Sequence, residues 1–263
     1  MPTVTVTLGS GLGNRFFKVA AMLGYAERYG HTPVFTRSLI KDEPAHPGPY
    51  GILDFFPDIP VVDEKEPYAT TLKESARDAL TYRAFSPLEG PVVLDGYFQS
   101  ERYFPTSPLP LPRLLSGGAR RPDTYFFHVR RGDYMSHWNV HHNVPLQNYW
   151  QRCLFLLPIH AGTRFLICSD DMAWCKAELP SLLRRYMSVD QWEFSAAATD
   201  AETLSEMIGC LAGGICANST FSWWAAYWIQ NKDKRVCMPA TWGYPPMPLA
   251  VDVWPSWATK VAV

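Results

Sequence analysis

Four segments carry residue types that could act on a charged, oxygen-rich ligand. The first is His128-Val129-Arg130-Arg131-Gly132-Asp133-Tyr134. Extended backbone alternates faces, so His128 and Arg130 share one side and Arg131 takes the other. Two arginines and a histidine at a strand end form an anion site whose charge does not titrate away. The alternative is an internal ion pair between Arg131 and Asp133, which would leave the rest of the cluster unexplained. In Ser169-Asp170-Asp171, the residues suit either the cap of a following helix or a carboxylate that accepts hydrogen bonds from a base or ribose. Two adjacent acids without a matching cluster are a weak metal signal. Asn218-Ser219-Thr220-Phe221-Ser222 opens a helix with hydroxyls and amides suited to phosphate. Asn218-Ser219-Thr220 is formally a glycosylation sequon, but it adjoins an apolar strand and is discounted. Gly9-Ser10-Gly11-Leu12-Gly13-Asn14-Arg15 is neither G-x-G-x-x-G nor a P-loop. It reads as a tight turn or as a close backbone approach to a ligand.

Other candidates carry less. His137, His141 and His142 crowd one loop with no carboxylate or cysteine at ligand spacing, so a solvated loop is the reading. There is no Gly-x-Ser-x-Gly elbow and no cysteine with a catalytic-histidine pattern. The tryptophans Trp223, Trp224, Trp228, Trp242, Trp254 and Trp257 read mostly as core, with one or two free to stack on sugar rings.

Strands and helices must position these segments. Thr3–Leu8 alternates Val and Thr as a strand does, and it runs into the glycine loop and a helix over Arg15–Tyr29. Asn14 suits the N-cap of that helix and Gly30 its left-handed end. Pro33–Thr36 follows as a strand, and strand, loop, helix, strand opens an α/β sheet. A helix is predicted over Leu72–Leu80 and a strand over Val92–Leu94. Prolines 105 to 122 mark a linker, which divides the chain near residue 120 into domains 1–120 and 121–263. Beyond it come strand Thr124–Val129, a helix over Leu146–Leu157, strand Arg164–Cys168 and a helix through Leu179. A helix over Glu202–Leu211, strand Gly214–Ala217, helix Phe221–Asn231 and strand Arg235–Met238 close the sheet. In such sheets ligands bind beyond the carboxyl ends of the strands, where all four segments fall.

Composition narrows the class. The 263 residues are long enough to bury a core, and a net charge of −1 argues against a nucleic-acid partner held by bulk charge. Hydrophobic content of 47%, with ten Trp, 13 Tyr and 14 Phe, excludes disorder. The six cysteines lack a C-x-x-C pair and read as buried thiols of a reducing, cytoplasmic compartment. The amino terminus shows no signal-peptide pattern. Met207–Ile229 carries no charge, but Asn218-Ser219-Thr220 and three glycines favour two helices and a strand over an integral membrane segment.

Together these segments resemble the α-1,2-fucosyltransferase family of inverting, GDP-fucose-dependent glycosyltransferases. The resemblance runs through Gly11–Arg15, Gly96-Tyr97-Phe98-Gln99-Ser100, His128–Tyr134, Ser169–Cys175 and Ala217–Trp224, from about residue 5 to 245. It implies an α/β fold of two Rossmann-like lobes facing a cleft, of GT-B type, and metal-independent transfer of fucose to the 2-hydroxyl of a terminal galactose with no cofactor beyond the donor. The partners implied are GDP-fucose and a galactose-terminated glycan. Arg130 matches the arginine on the donor diphosphate and is the catalytic candidate, with Asn14 orienting the acceptor. His128, Arg130, Arg131, Asp133, Ser169, Asp170, Asp171, Asn218, Ser219, Thr220, Phe221 and Ser222 fall on the donor side. Gly13, Asn14, Arg15, Gln99 and Glu101 fall on the acceptor side. Arg15 departs from the family, which usually has Gln there, and Ala225 stands where it has Gly. Two other classes compete: a metal-dependent glycosyltransferase holding its cation on Asp170 and Asp171, and a non-catalytic sugar-binding module.

Overall fold

A computed structural model describes residues 1–41, 51–75, 80–135, 146–243 and 251–263. The chain folds as two compact α/β units, Met1–Pro112 with Pro248–Pro255, and Arg113–Met247 with Ser256–Val263. The division falls inside the proline-rich segment, a few residues before position 120, and the first unit also takes a stretch of the tail.

In the first unit, strands β1 (Thr3–Val6) and β2 (Thr32–Pro33) flank helix α1 (Leu12–Tyr29) in sequence, and β3 is Phe35–Thr36. Helix α2 (Ile52–Phe55), β4 (Val61–Val62), β5 (Thr70–Lys73) and β6 (Val92–Asp95) follow. A four-stranded sheet runs β2-β1-β6-β5, and β3 pairs with β4. All pairings are parallel, so β1 and β6 lie side by side at the centre with their carboxyl ends together. Gly30 ends α1 in the left-handed conformation at φ 70, with its N–H on the Ala26 carbonyl. The N-cap is Gly11, not Asn14, which sits inside the first turn. The helix expected over 72–80 is corrected: β5 occupies its start, because Thr70-Thr71-Leu72 pairs edge-on with β6. Residues 76–79 lie outside the described ones. Tertiary pairing outweighs a weak helical pattern there.

The second unit contains β7 (Thr124–Val129), α3 (Leu146–Leu156), β8 (Arg164–Ser169), α4 (Met172–Leu183) and β9 (Trp192–Phe194). Then come α5 (Asp200–Gly209), β10 (Gly213–Ile215), α6 (Thr220–Trp228), β11 (Arg235–Pro239) and β12 (Thr259–Val261). The sheet order is β12-β11-β10-β7-β8-β9, again wholly parallel. Two strands escaped the sequence: β9, and β12, which lies beyond β11 and is the true edge. Every residue of β7 is buried, as a central strand covered on both faces requires. Helix α5 starts with a capping box, in which Thr199 Oγ1 accepts from the Glu202 N–H and the Glu202 carboxylate accepts from the Thr199 N–H. The uncharged stretch Met207–Ile229 is the end of α5, β10, a polar turn and α6. Among the described residues no helix is long and apolar enough to cross a membrane. All six cysteines are free and buried. Trp223, Trp224, Trp228 and Trp242 are core residues, as read from the sequence.

One tyrosine bonds both the middle of β11 and the residue that follows β10. The fully buried Tyr149 hydroxyl of α3 contacts the Cys216 and Cys237 carbonyl oxygens, each at 2.8 Å. Tyr149→Phe leaves the Cys237 carbonyl its bond from the Cys216 N–H but takes the hydroxyl from the buried Cys216 carbonyl, and is expected to lower the unfolding free energy by about 1–3 kcal/mol. Urea denaturation measures this; unchanged stability would show that the Cys216 carbonyl finds another donor.

Candidate active site

The central strand of the second unit delivers the arginines. β7 runs between β10 and β8, with His128 opposite Cys168 and Val129 opposite Ser169 in register. The segment after β7 therefore emerges between the one that starts α4 and the one that starts α6. Arg130 sits at this junction. Its Nη2 donates to Asp133 Oδ1 at 2.5 Å and its Nη1 pairs with Asp170 Oδ2 at 2.7 Å. Its guanidinium also lies 5.3 Å from the Tyr134 ring. Arg131 turns the other way, as alternation predicts: Nε donates to Asp171 Oδ2 at 3.0 Å, and the guanidinium stacks 4.1 Å from the Trp174 ring. The ion pair weighed between Arg131 and Asp133 is thus corrected, since Asp133 pairs with Arg130.

The two aspartates after β8 do different work. Asp170 Oδ1 accepts from the Arg131 N–H at 2.8 Å, so this carboxylate holds both the backbone and the side chain of the arginine strand end. Asp171 caps α4 by accepting from the Trp174 N–H, and Ser169 Oγ accepts from the Asp171 N–H. The Trp174 amide, and then the Arg131 guanidinium, hold the Asp171 carboxyl below the usual carboxylate range. Gly132 is required where it stands, because a Cβ there would lie 2.4 Å from Asp170 Oδ2. Among the described residues no three His, Cys, Asp or Glu gather as metal ligands.

At the third strand end, Ser219 caps α6 by accepting from the Phe221 N–H. Ser222 Oγ donates to the Ser219 carbonyl, and Asn218 Nδ2 donates to the Trp242 carbonyl. These buried side chains shape the turn, while Thr220 and Phe221 are partly exposed at its surface. Two contacts tie this helix start to the arginine segment. The Tyr134 hydroxyl donates to the Asn218 carbonyl at 2.8 Å, and the His128 ring lies 5.7 Å from Phe221. Tyr134 is a bridging residue that the sequence reading passed over, although it directly follows Asp133; burial raises its phenol pKa.

The first unit gathers a different set. Gln99 Nε2 donates to Asn14 Oδ1 at 2.8 Å, which joins two distant motifs at the ends of β6 and β1. Gly13 and Asn14 lie in the first turn of α1, and Glu101 opens the 3-10 turn Glu101–Tyr103 with Ser100 as its cap. Arg15 donates to two backbone carbonyls, those of Ser10 and Lys41. Ser10 and Phe98, both non-glycine, hold left-handed backbone at φ 72 and 52. Such strain persists only where the surroundings over-determine it, and it concentrates at functional sites. Glu74 was missed because a helix was expected over it; its carboxylate accepts from the Tyr97 and Phe98 N–H groups. His137, His141 and His142 lie outside the described residues.

The polar strand ends now have relatives to set beside them. Residues 113–243 match the family model described as Glycosyl transferase family 11. Through this segment the chain belongs to glycosyl transferase family 11. The match covers the arginine cluster and both helix starts. An alpha-1,2-colitosyltransferase of Escherichia coli is 28% identical over 171 residues, covering 59% of this chain and 57% of that protein. A galactoside 2-alpha-L-fucosyltransferase of Caenorhabditis elegans is 26% identical over 260 residues, covering 89% of this chain and 71% of its own length. The O-antigen biosynthesis glycosyltransferase WbnK of Escherichia coli is 28% identical, and here the chain covers 44% of the relative. The chain thus spans about half the length of these two Escherichia coli relatives. The fucosyltransferase NodZ from Bradyrhizobium aligns over 86% of this chain and 92% of its own at a TM-score of 0.48 and 14% identity.

His128 supplies a test of the site's burial. It is 3% exposed, and desolvation, helped by the Arg130 charge, lowers its pKa from 6.5 to about 3. Between those values the unfolded chain binds a proton that the folded one excludes, so stability falls as pH drops from 6.5 toward 3. The loss is up to about 1.4 kcal/mol per pH unit. His128→Gln cannot titrate and is expected to flatten this slope in urea titrations at several pH values. Parallel slopes would show that His128 takes up its proton in the folded state.

Proposed function

We propose that this family 11 chain transfers L-fucose from GDP-fucose to the 2-hydroxyl of a terminal galactoside. The observation that carries the reading is Arg130, fixed at the junction of three parallel strand ends with a helix start on either side. A planar, permanently charged fork suits a diphosphate whose leaving oxygen gains charge as the glycosidic bond breaks. Helix N-termini add backbone amides to the same side. The names of the relatives supply the sugar and the linkage, which the geometry alone does not specify.

In this reading the second unit holds the donor. Arg130 stabilises the departing GDP, and His128, Arg131, Asp133, Ser169, Asp170, Asp171 and Asn218–Ser222 shape its site. The first unit is the acceptor side, with Gly13, Asn14, Arg15, Gln99 and Glu101 around it. Transfer inverts the anomeric centre in one displacement with oxocarbenium character. Leaving-group stabilisation is the main catalytic term, Asn14 orients the attacking hydroxyl, and Glu101 is no strong base. No metal is needed, because Asp170 and Asp171 are already bonded to guanidinium groups and one of them also caps a helix. The two-lobed arrangement is of GT-B type, and six buried thiols suit a cytoplasmic setting. A second reading follows from the colitosyltransferase: the donor sugar is colitose, with the α-1,2 linkage kept.

The test is turnover of GDP-fucose with a panel of β-galactosides, with EDTA present and linkage analysis of the product. An α-1,2-fucosylated product is expected. Arg130→Ala is expected to cut kcat about 10²–10³-fold with the fold intact, and Arg130→Lys to restore little, since one ammonium cannot replace the fork. Glu101→Gln should keep appreciable activity. A near wild-type Arg130→Lys would refute the bidentate role, and transfer from GDP-colitose alone would favour the second reading.

A further inference from the structure

The loop of the first unit that leads into α1 is tied down by Arg15. Its Nε donates to the Ser10 carbonyl at 2.8 Å and its Nη2 to the Lys41 carbonyl at 2.9 Å. Lys41 is itself anchored, since its N–H donates to the Leu8 carbonyl at 2.6 Å beside the Leu8–Ile40 bridge. The Leu8 N–H in turn donates to the Leu39 carbonyl. One guanidinium therefore connects the loop between β1 and α1 to a frame already fixed by backbone pairing.

The residue it grips is the strained one. Ser10 holds φ 72, which a non-glycine residue adopts only under constraint. Gly11 follows as the N-cap of α1, and its carbonyl accepts from the Asn14 and Arg15 N–H groups. Fixing Ser10 thus fixes the helix start that carries Asn14, and Asn14 Oδ1 is held in turn by Gln99 Nε2. Two N–H groups of the Arg15 fork are directed at backbone carbonyls, which fixes the direction of the guanidinium.

We infer that Arg15 is a positioning residue for the acceptor: it locks the loop that presents Asn14 and does not itself meet the sugar. This rests on the assignment of Asn14 to the acceptor. A shorter amide at this position could not bond both carbonyls with one planar fork.

The experiment compares wild type, Arg15→Ala and Arg15→Lys by amide hydrogen exchange without ligand, and by steady-state kinetics with lactose and GDP-fucose. In Arg15→Ala, exchange across residues 12–17 is expected to rise about tenfold, since the lost bonds lower the cost of local opening. The KM for lactose should rise about five- to tenfold, because a misplaced orienting group weakens productive binding. The Kd for GDP should stay within about twofold, because the second unit is untouched. Arg15→Lys, which keeps one carbonyl in reach, should fall between. A raised lactose KM with unchanged exchange would mean direct contact with the sugar and overturn the inference. Raised exchange with unchanged KM would overturn it too. Absence of any wild-type turnover on galactosides would instead sink the functional reading, which the exchange arm does not test.

Discussion

The second unit is organised around the fork of Arg130, held between Asp133 and Asp170 before any ligand arrives. A partly buried guanidinium without counter-charge would be costly, and two carboxylates from separate segments solve that problem while fixing its direction. The solution imposes further constraints. Asp170 must come from the end of the neighbouring strand, so β7 and β8 must be parallel and in register. Gly132 must lack a side chain, because Asp170 occupies the space. Arg131 must turn to Asp171 and Trp174, where its pairing also serves the start of α4. On the function proposed above, a diphosphate would exchange one carboxylate partner of Arg130 for phosphate oxygens, with the cation positioned beforehand and little reorganisation needed.

The two units divide the chemistry by charge. The second gathers three arginine–carboxylate pairs and two helix starts, and a buried neutral His128 beside Phe221 gives it an apolar floor. The first gathers Asn14, Gln99, Glu74 and Asp95 around two central strand ends. Thr7 Oγ1 donates to Asp95 Oδ1 at 2.8 Å to tie those ends together. Arg15 in the loop donates to the Ser10 and Lys41 carbonyls. On the function proposed above, the charged leaving group and the acceptor would meet different units, each site lying at the carboxyl ends of parallel strands.

Much of this was legible in the sequence. β7 is visible as Thr124–Val129 because a fully buried central strand needs an unbroken apolar run, and the capped starts of α4 and α6 follow from Asp171 and Ser219 beside apolar helices. Partners of the charges were not legible. Which aspartate meets which arginine depends on strand order, and the order β10-β7-β8 is not written locally. The same holds for Gln99 and Asn14, 85 positions apart and joined only because β1 and β6 are neighbours. β5 was mistaken for a helix because Leu72 to Leu80 mixes both periods, and pairing with β6 decides it. Short edge strands such as β12 carry too little pattern to be seen at all.

The most direct test is amide hydrogen exchange of the whole protein with and without GDP. Protection is expected at residues 130–135 and 219–223, the two described segments that meet through Tyr134 and Asn218, with the loop at residues 9–15 unchanged. Protection confined to the first unit, with both of those segments exchanging as in the free protein, would contradict a donor held by Arg130.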